Sequence, residues 1–288
     1  MQPVLKLIRP AHWIKNLFLL IPTFFAGSIF QVERLEIIIL GIIAFSLIAS
    51  AVYILNDLKD IEVDRIHPLK KDRPLASGAV SRSTATILLI IFIVAGLSLS
   101  YLLHPVFLIL LSCYLVLNIA YSFGLKNIPI VDLFIVSLGF LIRIHSGGIL
   151  SGVEVSHWLS IMVLLLSLFL VLAKRRDDLV LQTTSQSIIR KTSSSYNLEF
   201  INACLTIFAA VIVVSYIMYT VSAEVIAHFN SSYLFTTTVF VIAGIMRYLQ
   251  ITMVEQNSGS PTSILVKDKF ILITILLWII SFYIIIYN

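Results

Sequence analysis

The sequence predicts an all-α integral membrane protein, a helix bundle with its polar residues gathered at one membrane face. Three observations carry this. Of 288 residues, 59% are hydrophobic and 12% charged, whereas soluble domains carry about 25% charged residues. Apolar stretches of about 20 residues, enough to cross a hydrocarbon core, recur along the whole chain. The basic residues between those stretches fall on alternate connections. Mean hydropathy is +1.02. Recurring spans exclude a single cleaved leader as the explanation, and residues 1–288 read as one transmembrane domain.

Nine spans are expected: 12–30, 35–56, 84–103, 105–122, 129–149, 156–173, 199–221, 231–253 and 269–287. Lys6, Arg9 and Lys15 flank the first, and Lys59, Arg65, Lys70, Lys71, Arg73 and Arg82 follow the second. Lys126 follows the fourth, and Lys174, Arg175, Arg176, Arg190 and Lys191 follow the sixth. Arg247, Lys267 and Lys269 lie around the last such connection. The opposite connections hold Arg34, His104, His157 and Glu224. That asymmetry places the amino terminus and the charged connections in the cytoplasm and the carboxyl terminus outside, in a plasma (inner) membrane.

In the first span Trp13 reads as an interfacial aromatic. Lys15 either snorkels to the surface or turns inward, with Asn16 beside it. The second span runs into the stretch on which the chain is organised, Asn56-Asp57-Leu58-Lys59-Asp60-Ile61-Glu62-Val63-Asp64-Arg65. On a helix Asn56, Asp60 and Asp64 form one line and Asp57 lies beside it. Hard oxygen donors beside basic groups suit Mg²⁺ and phosphate better than zinc or a redox metal. A charged cap on a membrane helix is the plainer reading, but it leaves the line of acids unexplained. The connection 60–83 contains His67-Pro68, Arg73-Pro74 and Ser77-Gly78, which argue for turns. Its cations alternate with acids at a membrane surface, which speaks against nucleic acid.

The fourth span ends in a second polar cluster, Asn118, Tyr121, Ser122 and Lys126, and Asp132 opens the fifth. If both clusters lie at one mouth they build a site there. Asp132 is costly within a span unless paired or bound. Arg143, eleven positions on, either snorkels outward or faces an interior cavity and holds a phosphate. Ala173-Lys174-Arg175-Arg176-Asp177-Asp178 is a stop signal or a third wall, and 182–197 has short-helix potential. Cys113 and Cys204 sit in apolar segments as packing residues. Zinc-ligand spacing, a glycine-rich nucleotide loop and a serine hydrolase elbow are all missing.

An acidic ladder at a cytoplasmic mouth above an apolar bundle suits a lipid with an anionic head. The chain resembles the UbiA-superfamily membrane prenyltransferases, and within them the decaprenyl-phosphate phosphoribosyltransferase branch. NDLKDIEVDRIHPLKKDRPLASG (Asn56–Gly78) and YSFGLKNIPIVDLFIVSLGFLIRIHSGG (Tyr121–Gly148) carry the resemblance. RPAHWIKN (Arg9–Asn16), AKRRDDL (Ala173–Leu179) and MRY (Met246–Tyr248) support it. It implies a nine-helix UbiA-like bundle with a cytoplasmic-facing active site. The implied reaction moves 5-phosphoribose from 5-phosphoribosyl 1-diphosphate to a polyprenyl phosphate with Mg²⁺, releasing diphosphate.

In that resemblance Asn56, Asp60 and Asp64 hold Mg²⁺ and diphosphate, and Asp57 shares the task. Asp57, Asp60, Asp64 and Lys126 form the implied catalytic set. Arg65, Lys70 and Arg73 contact the donor phosphates or close over them. Tyr121, Lys126 and Asp132 position the donor, with Asn118 beside them. Lys15, Asn16, Arg143 and Lys174 are contacts for one phosphate or the other. Aromatic prenyltransferases of the superfamily present a second acid-rich motif, where this chain offers Lys126 and a single acid, Asp132. A cation there favours direct phosphate contact. The competing expectations are prenyl transfer to an aromatic or lipid acceptor, and an ion-binding transporter.

Overall fold

A computed structural model describes residues 2–66, 70–185, 195–255, 264 and 267–287. Among these residues there is no strand, and eight helices are long and apolar enough to cross a membrane. The protein is therefore an integral, multi-pass helical membrane protein. In chain order the helices are α1 (Gln2–Ile8), a 3-10 helix (Pro10–Leu20), α2 (Ile21–Phe25), α3 (Val32–Lys59), α4 (Ile61–Ile66), α5 (Arg82–Leu103) and α6 (Pro105–Phe123). A short 3-10 turn (Leu125–Asn127) precedes α7 (Val131–Ser151), α8 (His157–Ser185), α9 (Leu198–Thr220) and α10 (Ala223–Phe229). A last 3-10 turn (Tyr233–Thr237) leads into α11 (Thr238–Met253), and α12 (Lys269–Tyr287) ends the chain.

The expected first span departs from a single α-helix. It is built from the 11-residue 3-10 helix and the five residues of α2. A 3-10 helix rises about 2.0 Å per residue against about 1.5 Å for an α-helix. These few residues therefore cover roughly 30 Å, close to a hydrocarbon thickness. Side chains three apart eclipse on a 3-10 helix. Trp13, Asn16 and Leu19 accordingly share one edge, with Asn16 and Leu19 fully buried.

The other expected spans match α3, α5–α7, α9, the Tyr233–Met253 segment and α12 within a few residues, whereas α8 runs well past the expected end at 173. The segment 182–197 extends α8 to Ser185; residues 186–194, with Arg190 and Lys191, lie outside the described residues, as do His67 and Pro68. Local signals set the ends of the helices. The Ser81 hydroxyl accepts the Thr84 N–H at 3.0 Å to open α5. His104 Nδ1 accepts the Val106 N–H at 3.1 Å, just ahead of the α6 N-terminal Pro105.

The chain divides into two compact units: Met1–Lys126 with Gly139–Val155, and Asn127–Leu138 with Ser156–Asn288. In the first unit α3 is the central helix, packing on α5, α6 and the long 3-10 helix. Its core includes Ile38, Phe45, Ile48, Phe107 and Leu111. Lipid is as apolar as these side chains, so close backbone approach at small residues and internal polar bonds must hold spanning helices together. Gly96 of α5 lies where a Cβ would stand 2.8 Å from Ile48 and 3.2 Å from the Ala44 carbonyl. A Cβ at Gly147 of α7 would meet the backbone carbonyl of Leu19. In the second unit α8 packs on α9 and α11 packs on α9 and α12, around Leu168, Phe169, Leu172, Leu205 and Ile251.

The Leu19 backbone cannot retreat from a new Cβ without distorting the long 3-10 helix. Gly147→Ala is expected to destabilise the protein by about 1–3 kcal/mol, read as a lowered Tm in detergent. An unchanged Tm would contradict this close approach.

Candidate active site

The acid line is built where α3 ends. Asp60 leaves helical geometry (φ −95°, ψ 10°), yet its N–H still bonds the Asn56 carbonyl at 3.0 Å. The Asp64 N–H then bonds the Asp60 carbonyl at 2.8 Å as α4 begins. The backbone thus keeps the four-residue step from Asn56 to Asp60 to Asp64 across the break.

Asp60 and Asp64 of this line, and Asp57 beside it, are each matched to a cation. Asp57, 2% exposed, accepts at Oδ1 from Arg9 at 2.5 Å and from Arg73 at 3.1 Å. The same Arg73 nitrogen donates to Asp64 at 2.7 Å. Asp60, a third exposed, faces Lys126 at 3.1 Å. The Ser122 hydroxyl lies against Asn56 Oδ1, and Lys59 donates to the Ser122 carbonyl at 2.5 Å while covering the Phe123 ring. The first and second polar motifs therefore meet within the first unit, through Asn56, Lys59 and Asp60 on one side and Ser122 and Lys126 on the other. Asn118 sits one turn before Ser122 and donates to the Tyr114 carbonyl at 2.8 Å. Lys70 and Tyr121 are half-buried. Arg65 is half-exposed and pairs with Glu62, which also pairs with Arg82, so this trio forms a solvated network.

In the sequence Arg9 reads only as a basic residue flanking the first span and as the start of RPAHWIKN, with no role in the site. Its backbone lies in the left-handed region (φ 52°, ψ 60°) between α1 and the long 3-10 helix. Its guanidinium also stacks 4.9 Å from the Tyr53 ring. A non-glycine residue held in that conformation costs about 1–3 kcal/mol and persists only where its surroundings impose it. Here the surrounding bond is to buried Asp57. The sequence signal was the Arg-Pro step itself, which marks a break without naming a partner.

Asn16 and Arg143 are both buried, and Arg143 does not snorkel. Its Nε donates to Asn16 at 2.9 Å, Nη1 to the Gly139 carbonyl at 2.7 Å and Nη2 to the Tyr114 hydroxyl at 3.1 Å. Lys15 is half-buried.

In the second unit Asp132 is fully buried and both its oxygens are used. Arg175 reaches Oδ2 at 3.1 and 3.0 Å, and the Tyr196 hydroxyl reaches Oδ1 at 3.1 Å. Tyr196 also accepts the N–H of Ile130 at 2.6 Å. Ile130 has a positive φ of 69°, an outlier for a β-branched residue. Burial, with the Asp132 carboxylate, keeps the Tyr196 phenol above its ordinary range, while the Ile130 N–H pulls the other way. Lys174 is exposed, and Arg176 bonds Asn202 at 2.9 Å and the Thr252 carbonyl.

Among the described residues no three His, Cys, Asp or Glu side chains converge as a metal-binding group. Mg²⁺ keeps several waters and takes one or two carboxylates plus substrate phosphates, so it does not require such a group. Asp57 Oδ2 is buried and without a hydrogen-bond partner. An orphaned carboxylate oxygen beside the hard donors Asn56, Asp60 and Asp64 fits such an ion.

Residues 19–259 match the model of a family described as the UbiA prenyltransferase family. The decaprenyl-phosphate phosphoribosyltransferase of Mycolicibacterium smegmatis is 33% identical over 287 residues, covering 96% of this chain and 90% of the relative. The protein of the same name from Corynebacterium glutamicum is 30% identical, covering 96% and 84%. Among solved structures, a UbiA homolog from Archaeoglobus fulgidus bound to GPP and Mg²⁺ superposes with a TM-score of 0.73 at 19% identity, covering 99% of this chain and 100% of that one.

Removing the Tyr196 hydroxyl strips the strained Ile130 backbone of its acceptor and Asp132 of a donor. Tyr196→Phe is expected to destabilise the protein by about 1–3 kcal/mol and to speed amide exchange at Ile130. Unaltered exchange there would mean that the hydroxyl does not hold this turn.

Proposed function

The chain belongs to the UbiA prenyltransferase family, and from that premise we propose that it transfers 5-phosphoribose from 5-phosphoribosyl 1-diphosphate to a polyprenyl phosphate of the decaprenyl type. The bond from the anomeric carbon to the diphosphate oxygen breaks, and one from that carbon to an oxygen of the lipid phosphate forms. Diphosphate leaves with the electron pair, and displacement inverts the anomeric centre. An anionic phosphate is already nucleophilic, so no side chain has to remove a proton.

The observation that best supports this reading is the pairing of Lys126 with Asp60 at 3.1 Å, a cation facing the acid line where a second acid-rich motif would favour a second metal. Asn56, Asp57, Asp60 and Asp64 would hold Mg²⁺, which when bound neutralises charge developing on diphosphate. Lys126 and Arg73 are the cations positioned to exchange their carboxylates for donor phosphates. Lys70 precedes Arg73 in the same connection, and Asn118 and Tyr121 lie on α6 ahead of Lys126. Asp132, with Tyr196 and Arg175, holds the turn at Ile130. Arg65 and Lys174, both exposed, are left to the outer electrostatic field. The chain works in the plasma membrane with its amino terminus in the cytoplasm and its carboxyl terminus outside, as its basic connections direct.

Purified protein in lipid, given Mg²⁺, polyprenyl phosphate and radiolabelled 5-phosphoribosyl 1-diphosphate, is expected to yield a labelled lipid and diphosphate. Product formed only from a prenyl diphosphate and an aromatic acceptor would replace this reading with prenyl transfer. Asp60→Asn and Asp64→Asn should each abolish Mg²⁺-dependent turnover in folded protein; retained turnover in both would sink the metal assignment. Lys126→Ala should raise the donor KM about tenfold or more, the loss of one charge-assisted bond, and an unchanged donor KM would remove Lys126 from the donor site.

A further inference from the structure

Arg143 is a cation within a spanning helix, 6% exposed, whose hydrogen bonds all go to neutral oxygens. Its guanidinium carbon lies 4.7, 4.9 and 5.4 Å from the ring centres of Phe45, Tyr114 and Phe140. Aromatic faces stabilise a desolvated cation, and here they enclose it. With the rings around it and all three of its nitrogens engaged, Arg143 is poorly placed to take a substrate phosphate. It is well placed to fix Asn16.

Asn16 is fully buried, its Oδ1 accepting from Arg143 and its Nδ2 donating to Ser46 at 2.9 Å. One step along the same edge, Trp13 donates to Ser50 at 3.0 Å. Three residues of a 3-10 helix and four of an α-helix both rise about 6 Å. The pairs Trp13–Ser50 and Asn16–Ser46 are therefore in register between antiparallel elements. This fixes the rotation of the 3-10 helix about its axis. His12, Lys15 and Phe18 share the next edge, where His12 packs 5.1 Å from Tyr53 and Phe18 packs 4.9 Å from Phe140. Lys15, half-buried, falls on that edge between exposed His12 and half-buried Phe18.

We propose that Asn16 and Arg143 are positioning residues that lock the 3-10 helix so that Lys15 meets a substrate phosphate. The inference rests on the reading above only in taking phosphorylated substrates. The phosphate belongs either to the polyprenyl acceptor or to the phosphoribosyl donor, and separate KM values for the two distinguish these sources.

The test is a double-mutant cycle on full-length protein in lipid, with Lys15→Ala, Asn16→Ala and the pair. Lys15→Ala is expected to raise the KM of one of the two substrates about tenfold, the worth of a charge-assisted hydrogen bond, with kcat within about twofold. Asn16→Ala should raise the same KM in the Lys15 background and change it less than about twofold once Lys15 is Ala, the signature of coupled residues. Arg143→Lys, which keeps the charge and loses the planar fork, should behave as Asn16→Ala does. Independent, multiplicative effects overturn the proposal, as does a loss confined to kcat. If Asn16→Ala does not fold, Ser46→Ala removes one bond from the same amide and should raise the same KM more modestly; no change there overturns the proposal. A wild-type enzyme that uses only prenyl diphosphates refutes the phosphoribosyl reading, and the cycle is then run on that substrate. Turnover of 5-phosphoribosyl 1-diphosphate with a multiplicative cycle refutes this inference alone.

Discussion

A carboxylate removed from water must be neutralised, and Asp57 is that carboxylate. Burying an unpaired charge costs more than a marginally stable fold can supply, so the elements around α3 are arranged to bring cations to it. Arg9 arrives from the junction of α1 and the long 3-10 helix by adopting an unfavourable backbone conformation. Arg73 arrives from the connection after α4, and by touching Asp64 as well it relieves repulsion between two acids. The path of the amino terminus and that of the 70–80 connection are thus set by a single side chain near the end of a spanning helix. A buried ion pair of this kind is weak evidence for stability. Its sense here is geometric, because one guanidinium joins Asp57 to Asp64.

Much of this was legible in the sequence. The spans follow from apolar runs, and the step from Asn56 to Asp60 to Asp64 follows from helical spacing that the backbone keeps through its break. The joining of Lys126 to the first motif was anticipated too, by a different route: α6 stops at Phe123, and a short 3-10 turn carries Lys126 to Asp60. Arg143 and Asp132 were legible as expensive residues but not as partners of anything. Their partners are remote: Asn16 lies 127 residues from Arg143, and Tyr196 lies 64 residues from Asp132. The 3-10 geometry of residues 10–20 was hidden for another reason. An apolar run this rich reads as helix at any period, and only the alternation of Trp13, Asn16 and Leu19 against Ser50 and Ser46 separates three residues per turn from 3.6.

The two polar clusters of the first unit solve one problem differently. Around Asp57 the charges are formal and opposite. Around Arg143 a lone positive charge is met by ring faces, an amide, a hydroxyl and a carbonyl. The first arrangement can exchange partners when other charged groups arrive, because cations and acids are interchangeable with metal and phosphate. The second is closed, and it lends itself to rigidity. A bundle without a strong hydrophobic drive between its helices gains from having both kinds.

The length of α3 has a consequence for depth. Its 28 residues extend about 42 Å, whereas the 19 residues of α6 extend about 28 Å. The shorter helix matches a hydrocarbon slab of about 30 Å, and the longer one overshoots it by two turns or more. If α3 enters the slab at Leu35, past Glu33 and Arg34, Asn56 lies roughly 32 Å further along the axis, at the far boundary of the slab and next to the layer where phospholipid headgroups reside. The acids therefore stand at the height at which a membrane already holds a lipid's phosphate, so an amphiphile floating at its natural level needs no lifting. Bilayer thickness then becomes a variable of the chemistry. A thicker membrane draws Asn56 and Asp57 down into the slab, and a thinner one strands them above the headgroups.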